Sequence, residues 1–544
     1  MRVVEDHRGG AYGLEVDRVI FPTMEQAMMC EHYVLRNTGT VDYVLQIPSL
    51  QQEVLTDPKR GVKGSYRILS TVKGGGVYFV KPGESVEFDL VIEGLEMGQK
   101  SQADLDVKQL LAERQAFLEV MDNNLVLDTP DDVIDTEFRF AKIRASESIC
   151  KTKGGYMHAP GGESYYAAIW ANDQAEYVNP FFPFTGYDVG NESALNSYRH
   201  FARFMNDEWK PIPSSIIAEG DDIWNGAGDR GDGAMIAYGA ARYALTRADK
   251  AEAEELWTLI EWCLEYCRRQ INDKGVVKSD RDELEGRFPA GDANLCTSTL
   301  YYDALISAAH LGRELKKSPK LIADYQKRAK AMRAAIESHF GATVKGYETY
   351  RYYEGNDILR SWICMPLCVG IYDRADATMD ALFKSDLYTK DGLLTAQGSE
   401  TFWDRSTLYA FRGGYAAGYA DFITEQLSYY SNRRLLGDHV PYPIEAWPEG
   451  SQRHLSAESG LYCRIITEGM FGIRPTGMRS FELKPEIPTD WEFASLKSVR
   501  AFGSDFDIEV KRLAGDKLRV DVVEKGGKKQ SFTIKQGKTL NVKL

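Results

Sequence analysis

The segment SDRDELEGRF, Ser279 to Phe288, sets Asp280, Asp282, Glu283 and Glu285 within six positions. Crowded carboxylates raise one another's pKa, and partial burial adds to the effect, so such a cluster can hold one proton near neutral pH. A second segment, PYPIEAWPEG, sets Glu445 between Pro443 and Pro448 and two residues before Trp447. The prolines fix the backbone around that carboxylate. One carboxyl that keeps its proton and one that stays ionised form the pair that cleaves a glycosidic bond. The first segment also suits a solvated acidic helix start. Its neighbours Gly286, Pro289 and Gly291, and a helix expected from Ala293, favour a pocket loop. Glu449 and Glu458 compete with Glu445, but Glu458 falls inside the next helix, where a structural or substrate-positioning role fits better.

Five connections share a composition rich in Trp, Asp, Glu, Gly and Pro: GGESYYAAIWANDQAEYVNPFFPFTGYD, IIAEGDDIWNGAGDRGDG, KSDRDELEGRFPAGDAN, AQGSETFWDR and DHVPYPIEAWPEGSQRHLS. Each comes just before an apolar helical stretch. Their recurrence at one point of the helical rhythm points to a single polar, aromatic-lined pocket. Aromatic faces cover the C–H side of a pyranose, while Asp, Asn, Arg and Glu bind its hydroxyls. The candidate sugar contacts are Trp170, Asp173, Trp224, Asp229, Arg230, Asp282, Trp403, Asp404, Arg405 and Trp447. Core packing or a loop-fixing ion pair is the plain alternative for each.

The elements that must carry these loops fall into three textures. From Met1 to about residue 103, YGLEVDRVIF, EHYVLRN, VDYVLQIP, GVYFV and VEFDLVIEGL alternate in the manner of strands broken by Gly, Pro and Asn, which predicts a β-sandwich. SQADLDVKQLLAERQAFLEVM, beginning at Ser101, reads as a linker helix assigned to 104–128. Over 129–478 helical segments of two kinds alternate. GAMIAYGAARYALT is apolar nearly all round, whereas LIADYQKRAKAMRAAIESHF has one apolar stripe. The first kind is buried and the second faces water. This alternation predicts an (α/α)6 barrel of inner and outer helices, with DILRSWICMPLCVGIY read as one of them. No fixed-period repeat supports a solenoid instead. Over 479–544 strands return in FDIEVKR, LRVDVVEK and QSFTIKQ, a small C-terminal β-domain.

Composition bounds the partners. The 544 residues exceed one compact domain, and 43% hydrophobic content supports a large core. A net charge of −14 argues against nucleic acid and anionic membrane. The eight cysteines include no CxxC and read as buried thiols. The eight histidines show no metal-ligand spacing, so no metal and no cofactor is expected. MRVVEDHRGG lacks an apolar signal core. The expected location is cytoplasmic as the chain stands, or periplasmic or secreted should a signal segment precede Met1.

The segment from Ile444 to Pro488 resembles the end of the catalytic barrel in six-hairpin glycosidases. Glucoamylase-like members carry a Glu loop there, and the resemblance puts their catalytic base on Glu445. α-L-Rhamnosidase-like members share a Glu-x-Trp loop, a His-containing helix start and a Gly-Ile-x-Pro exit, matched by Glu445, Trp447, His454, Gly472, Ile473, Pro475 and Gly477. AIWANDQAEYVNP is similar to their Trp-x-Arg-Asp segment at Trp170 and Asp173, with Asn172 in place of the Arg. DRDELEG stands where glucoamylase-like proteins have a general-acid Glu, which falls on Glu283 or Glu285. The resemblance implies an inverting O-glycoside hydrolase acting on a carbohydrate, with Glu283 favoured over Glu285 as acid, Glu445 as base and His454 among the substrate contacts. A sugar phosphorylase, a polysaccharide lyase and a non-catalytic carbohydrate-binding protein are the alternatives on the same toroid.

Overall fold

The computed structural model describes residues 1–61, 63–159, 167–224, 226, 228–281, 287–438, 446–447 and 457–544, the pair 446–447 by its backbone. The chain forms two compact units, Met1–Met121 and Asp122–Leu544.

In the first unit, period-two alternation builds a six-stranded antiparallel sheet. Its strands run from edge to edge in the order Arg2–Gly9, Tyr12–Pro22, Met28–Asn37, Ser85–Glu96, Tyr66–Lys73 and Gln51–Leu55. Successive side chains point to opposite faces. On one face Phe21, Met28, Cys30 and Val91 pack against Val107 and Leu110 of the helix Val107–Asn123. On the other, Leu35, Val86 and Phe88 pack against Ile47 and Val80 of a ribbon pairing Tyr43–Ile47 with Gly76–Val80.

In the second unit the two helical textures become two layers. Among the described residues the chain alternates six times between an outer and an inner segment. The outer segments are Asp132–Glu147, Asp188–Ala202, Lys250–Arg269, Pro319–Phe340, Ala375–Phe383, and Ala420–Tyr430 continued by Ser431–Asp438. The inner ones are Asn172–Val178, Asp232–Arg247, Leu295–Glu314, Ser361–Cys364 continued by Met365–Cys368, Asp404–Ala416, and Ala457–Arg464 continued by Ile465–Met470. The last inner segment packs against Asp132–Glu147 and Asn172–Val178, which closes the ring.

Side-chain size separates the layers. Asp232–Arg247 is buried from Asp232 through Thr246. Gly239 brings it onto its neighbour, since a Cβ there would meet the Ala175 carbonyl oxygen at 2.0 Å. Lys250–Arg269 instead buries one stripe, including Leu256, Trp257, Ile260, Cys263 and Leu264, and Asp249 caps it by accepting from the Glu252 N–H. The fourth inner segment is much shorter than the helix expected over DILRSWICMPLCVGIY. It is a 3-10 turn and one α-turn, because Pro366 has no N–H to donate and Gly370, at φ +87°, turns the chain away.

The C-terminal strands form a five-stranded antiparallel sheet ordered Lys529–Lys535, Lys517–Glu524, Ser504–Arg512, Phe493–Ala501 and Val126–Asp128. Its last strand comes from just before the barrel, with Leu127 opposite Leu496. A second sheet joins Arg474–Gly477, Ser480–Leu483 and Leu540–Lys543. Among the described residues no helix is long and apolar enough to cross a membrane.

Candidate active site

The N-terminal ends of the inner segments meet at one end of the barrel, and five of the connections that precede them are the five acid- and aromatic-rich loops. The sixth, 341–360, begins with a hairpin pairing Gly341–Val344 with Tyr347–Tyr350 and ends at the buried Arg360.

Arg405, in the first turn of Asp404–Ala416, organises this end. Its Nε and Nη2 donate to Glu458 Oε1 at 3.0 and 2.5 Å, and Nη2 donates to Asp173 Oδ1 at 3.3 Å. All three side chains are buried. The guanidinium also lies over the rings of Trp403 and Tyr177, at 4.9 and 5.0 Å from their centroids. Flat apolar faces on a cation that keeps its in-plane donors for carboxylates are a use for which Lys could not substitute. Arg287 stands over Trp403 at 5.4 Å. Asp404 receives Arg434 Nη2 at 3.1 Å, and Arg434 Nη1 donates to the Asp391 carbonyl at 2.9 Å.

A second group belongs to the loop before Asp232–Arg247. Arg230 Nη2 donates to Asn172 Oδ1 and Asp232 Oδ1, both at 3.2 Å. Burial raises the Asp232 carboxyl above its ordinary value, against the pull of Arg230. Where the resemblance has an arginine in the Trp-x-Arg-Asp segment, Asn172 therefore accepts a guanidinium from the next loop. Trp170 and Trp224 are both in register with Ser215 in a three-stranded ribbon, one on each side of it. Cross-strand neighbours share a face, so the two residues stand on one face with their backbones two strand spacings apart, roughly 9–10 Å.

Asp229 is half-buried beside this group. Its Oδ1 accepts the Gly231 N–H at 2.8 Å and its Oδ2 accepts the Tyr266 hydroxyl. Burial, with Asp232 and then Asp280 adding repulsion, pushes its carboxyl up to about 6. Its backbone holds the start of the acidic loop. The Asp280 and Arg281 N–H groups donate to the Asp229 carbonyl, each at 3.0 Å, and Asp280 Oδ1 accepts the Asp229 N–H at 3.2 Å. Asn294 Nδ2 fixes the same stretch by donating to Ser279 Oγ and the Arg281 carbonyl at 2.8 and 3.0 Å. Asn294 also caps the next inner helix, which starts at Leu295, two residues after the expected Ala293.

Asp282, Glu283 and Glu285 lie outside the described residues, as do Glu445 and His454. Arg281 and Arg287 flank the first of these segments, and Ala446–Trp447 follows Glu445 directly. Ala446–Trp447 pairs antiparallel with Phe402–Trp403, with Ala446 opposite Trp403. Of the expected contacts, Asp173 and Arg405 come together, as do Arg230 and the Trp170 loop. Trp403 lies with Arg405, and Asp404 pairs away with Arg434. Sequence reasoning missed Arg434, Arg360 and Tyr266. Each is a single residue in an ordinary helical or loop texture, with no motif around it. Among the described residues no group of three or more His, Cys, Asp or Glu is arranged to hold a metal ion.

A protein described as a sialidase superposes over 97% of this chain and 60% of its own, at 12% identity and a TM-score of 0.58. A GH78 family rhamnosidase of Bacillus sp. GL1 superposes over 94% and 53%, at 11% identity and 0.55. A rhamnosidase from Klebsiella oxytoca with rhamnose bound superposes over 86% and 95%, at 11% identity and 0.50. The fold is that of the six-hairpin glycosidases. At these identities the likeness is one of architecture. The chain spans 60% and 53% of the length of the first two proteins. No family model and no curated protein matches the sequence. Within the six-hairpin fold, the ring built on Arg405, Arg230 and Asp229 is where the polar loops of this chain converge.

Proposed function

We propose that the chain is an inverting O-glycoside hydrolase cleaving an α-glycosidic bond, with Glu283 or Glu285 as general acid and Glu445 as base. One observation carries the reading. Both acidic segments are tied by backbone hydrogen bonds to the same ring, one through Asp280 and Asp229, the other through Ala446 and Trp403. The same ring carries a desolvated Asp173–Arg405–Glu458 triad, with Arg405 over Trp403, and the Trp170–Trp224 ribbon. Such a site offers stacking faces and fixed hydroxyl partners to a sugar, and carboxyls of different proton affinity to its glycosidic bond. In single-step inversion the acid protonates the leaving oxygen while the base removes a proton from water on the opposite face. The two carboxyl groups then stand roughly 6.5–9.5 Å apart.

The test is a panel of aryl and natural α-glycosides, rhamnosides and glucosides included, with the product anomer followed by proton NMR. Inversion of the released sugar supports the reading. Retention, unsaturated products absorbing in the ultraviolet, or sugar phosphate formed in phosphate buffer would each replace it with a retaining hydrolase, a lyase or a phosphorylase.

A further inference from the structure

A cavity of about 390 Å³ lies at the other end of the barrel, past the C-terminal ends of the inner segments. Its lining includes Arg242, Glu468, Arg474, Glu482, Lys484 and Tyr372. Arg242 Nε donates to Asp303 Oδ2 at 2.8 Å and its Nη1 to Glu468 Oε2 at 3.0 Å. Arg474 Nη2 donates to Asp303 Oδ1 at 2.9 Å. Arg464 Nε and Nη2 donate to Glu468 at 2.5 and 3.0 Å, with Arg412 Nη2 at 3.5 Å from the same carboxylate. Four guanidinium groups thus share two buried carboxylates, and both carboxylates are spent.

The remaining donors show the imbalance. Arg412 Nη2 and Arg464 Nη2 donate to the Tyr238 hydroxyl at 3.0 and 2.7 Å. Some of the cations also cap helix ends. Arg474 Nη1 reaches the Val369 carbonyl at 3.5 Å, and Lys484 Nζ the Ala416 carbonyl at 2.7 Å, with Glu486 at 3.2 Å. Capping accounts for the two carbonyl bonds and adds no negative charge, and Glu486 answers Lys484, not the arginines. Arg412 Nη1 and Arg464 Nη1 are buried and have no acceptor among the described residues. Arg242 Nη2 has none among the described residues. Uncompensated positive charge in a poorly solvated interior is costly, and removing its counter-charge costs several kcal/mol in comparable sites.

We propose that this cavity binds a small oxyanion of the phosphate or carboxylate class, whose charge offsets the excess of the arginine cluster. Arg242, Arg474 and Lys484 supply the direct contacts, and planar guanidinium groups suit an oxyanion. Arg412 and Arg464, behind the wall, act through their field. Glu482 on the same lining disfavours large polyanions. The site is separate from the glycosidase reading, so either can fail alone.

The full chain is titrated with inorganic phosphate and, separately, with acetate, by calorimetry and thermal melting at constant ionic strength. Saturable binding of at least one ion is expected, with a rise in Tm of about 2 °C or more at saturation. Arg474→Gln should weaken that binding about tenfold or more. Lys484→Gln, at a partly exposed side chain outside the Asp303 and Glu468 pairs, whose amide can still donate toward Glu486, should weaken it by a smaller factor while the protein stays folded. The absence of saturable heat and of any ion-specific shift in Tm with both ions overturns the site. Binding that neither variant weakens does the same.

Discussion

The two ends of the barrel spend their charges differently. At the end formed by the N-termini of the inner segments, Arg405, Arg230 and Arg434 each answer a buried carboxylate, and Asp229 is left with hydrogen-bond donors and no described cation. At the other end the excess is positive: Glu468 faces three arginines, which hold its carboxyl down to about 2. The first end keeps a carboxyl, Asp229, that changes charge near pH 6, and the second keeps the Glu468 carboxylate ionised down to about pH 2. Proton chemistry fits the first arrangement. Anion retention fits the second.

The largest effect should come from cutting the shared cation. Arg405→Leu removes the guanidinium that the buried Asp173 and Glu458 share and should cost about 3–5 kcal/mol in chemical denaturation. A loss below about 1 kcal/mol would show that the ring is not held by its ion pairs.

The two ends should also titrate with opposite signs. Glu468 has a lowered folded pKa, so its contribution to stability is full above its ordinary value of 4.5 and is lost as pH falls toward about 2. Asp229 has a raised one. Its contribution is present below 3.8 and is lost as pH rises through about 6. Denaturation profiles of Glu468→Gln and Asp229→Asn against wild type should therefore differ from it in different pH windows. Asp229→Asn should flatten the profile between pH 4 and 6, and Glu468→Gln should flatten it below pH 4.5. Coincident windows would erase the contrast between the ends.

The smallest effect belongs to the ribbon. Trp224→Ala should weaken sugar affinity by roughly tenfold, the loss of one stacking face, with Tm nearly unchanged because the indole is only partly buried. An equal loss of stability and affinity would make Trp224 a packing residue.

Much of this arrangement was legible beforehand. All-round apolar helices against striped ones mark the inner and outer layers because burial on every side leaves no room for a charged face, as Asp232–Arg247 and Lys250–Arg269 show. Five of the six loops at the polar end announced themselves by composition. The sixth did not, since its buried Arg360 follows a hairpin that reads as ordinary surface. The contact of Asp229 with Asp280 spans 51 residues and depends on how two loops settle, which no local pattern records. The π-helical turns at Asn172–Val178 and Ile465–Met470 shift the side-chain register without leaving a mark in hydrophobic period. Arginines such as Arg412 and Arg464 look like surface residues in a sequence. They are buried here because Glu468 and Tyr238 receive them.

Loss of activity on poor leaving groups with activated aryl glycosides largely spared, in Glu283→Gln or in Glu285→Gln, would sharpen the acid assignment, but the base carries the central claim. Glu445→Gln changes one carboxylate to a near-isosteric amide, so folding should survive and only proton abstraction from water should fail. With the best substrate from the glycoside panel, kcat should fall by about three orders of magnitude or more, with KM and Tm close to wild type. A Glu445→Gln enzyme that turns over within about twofold of wild type would contradict the account.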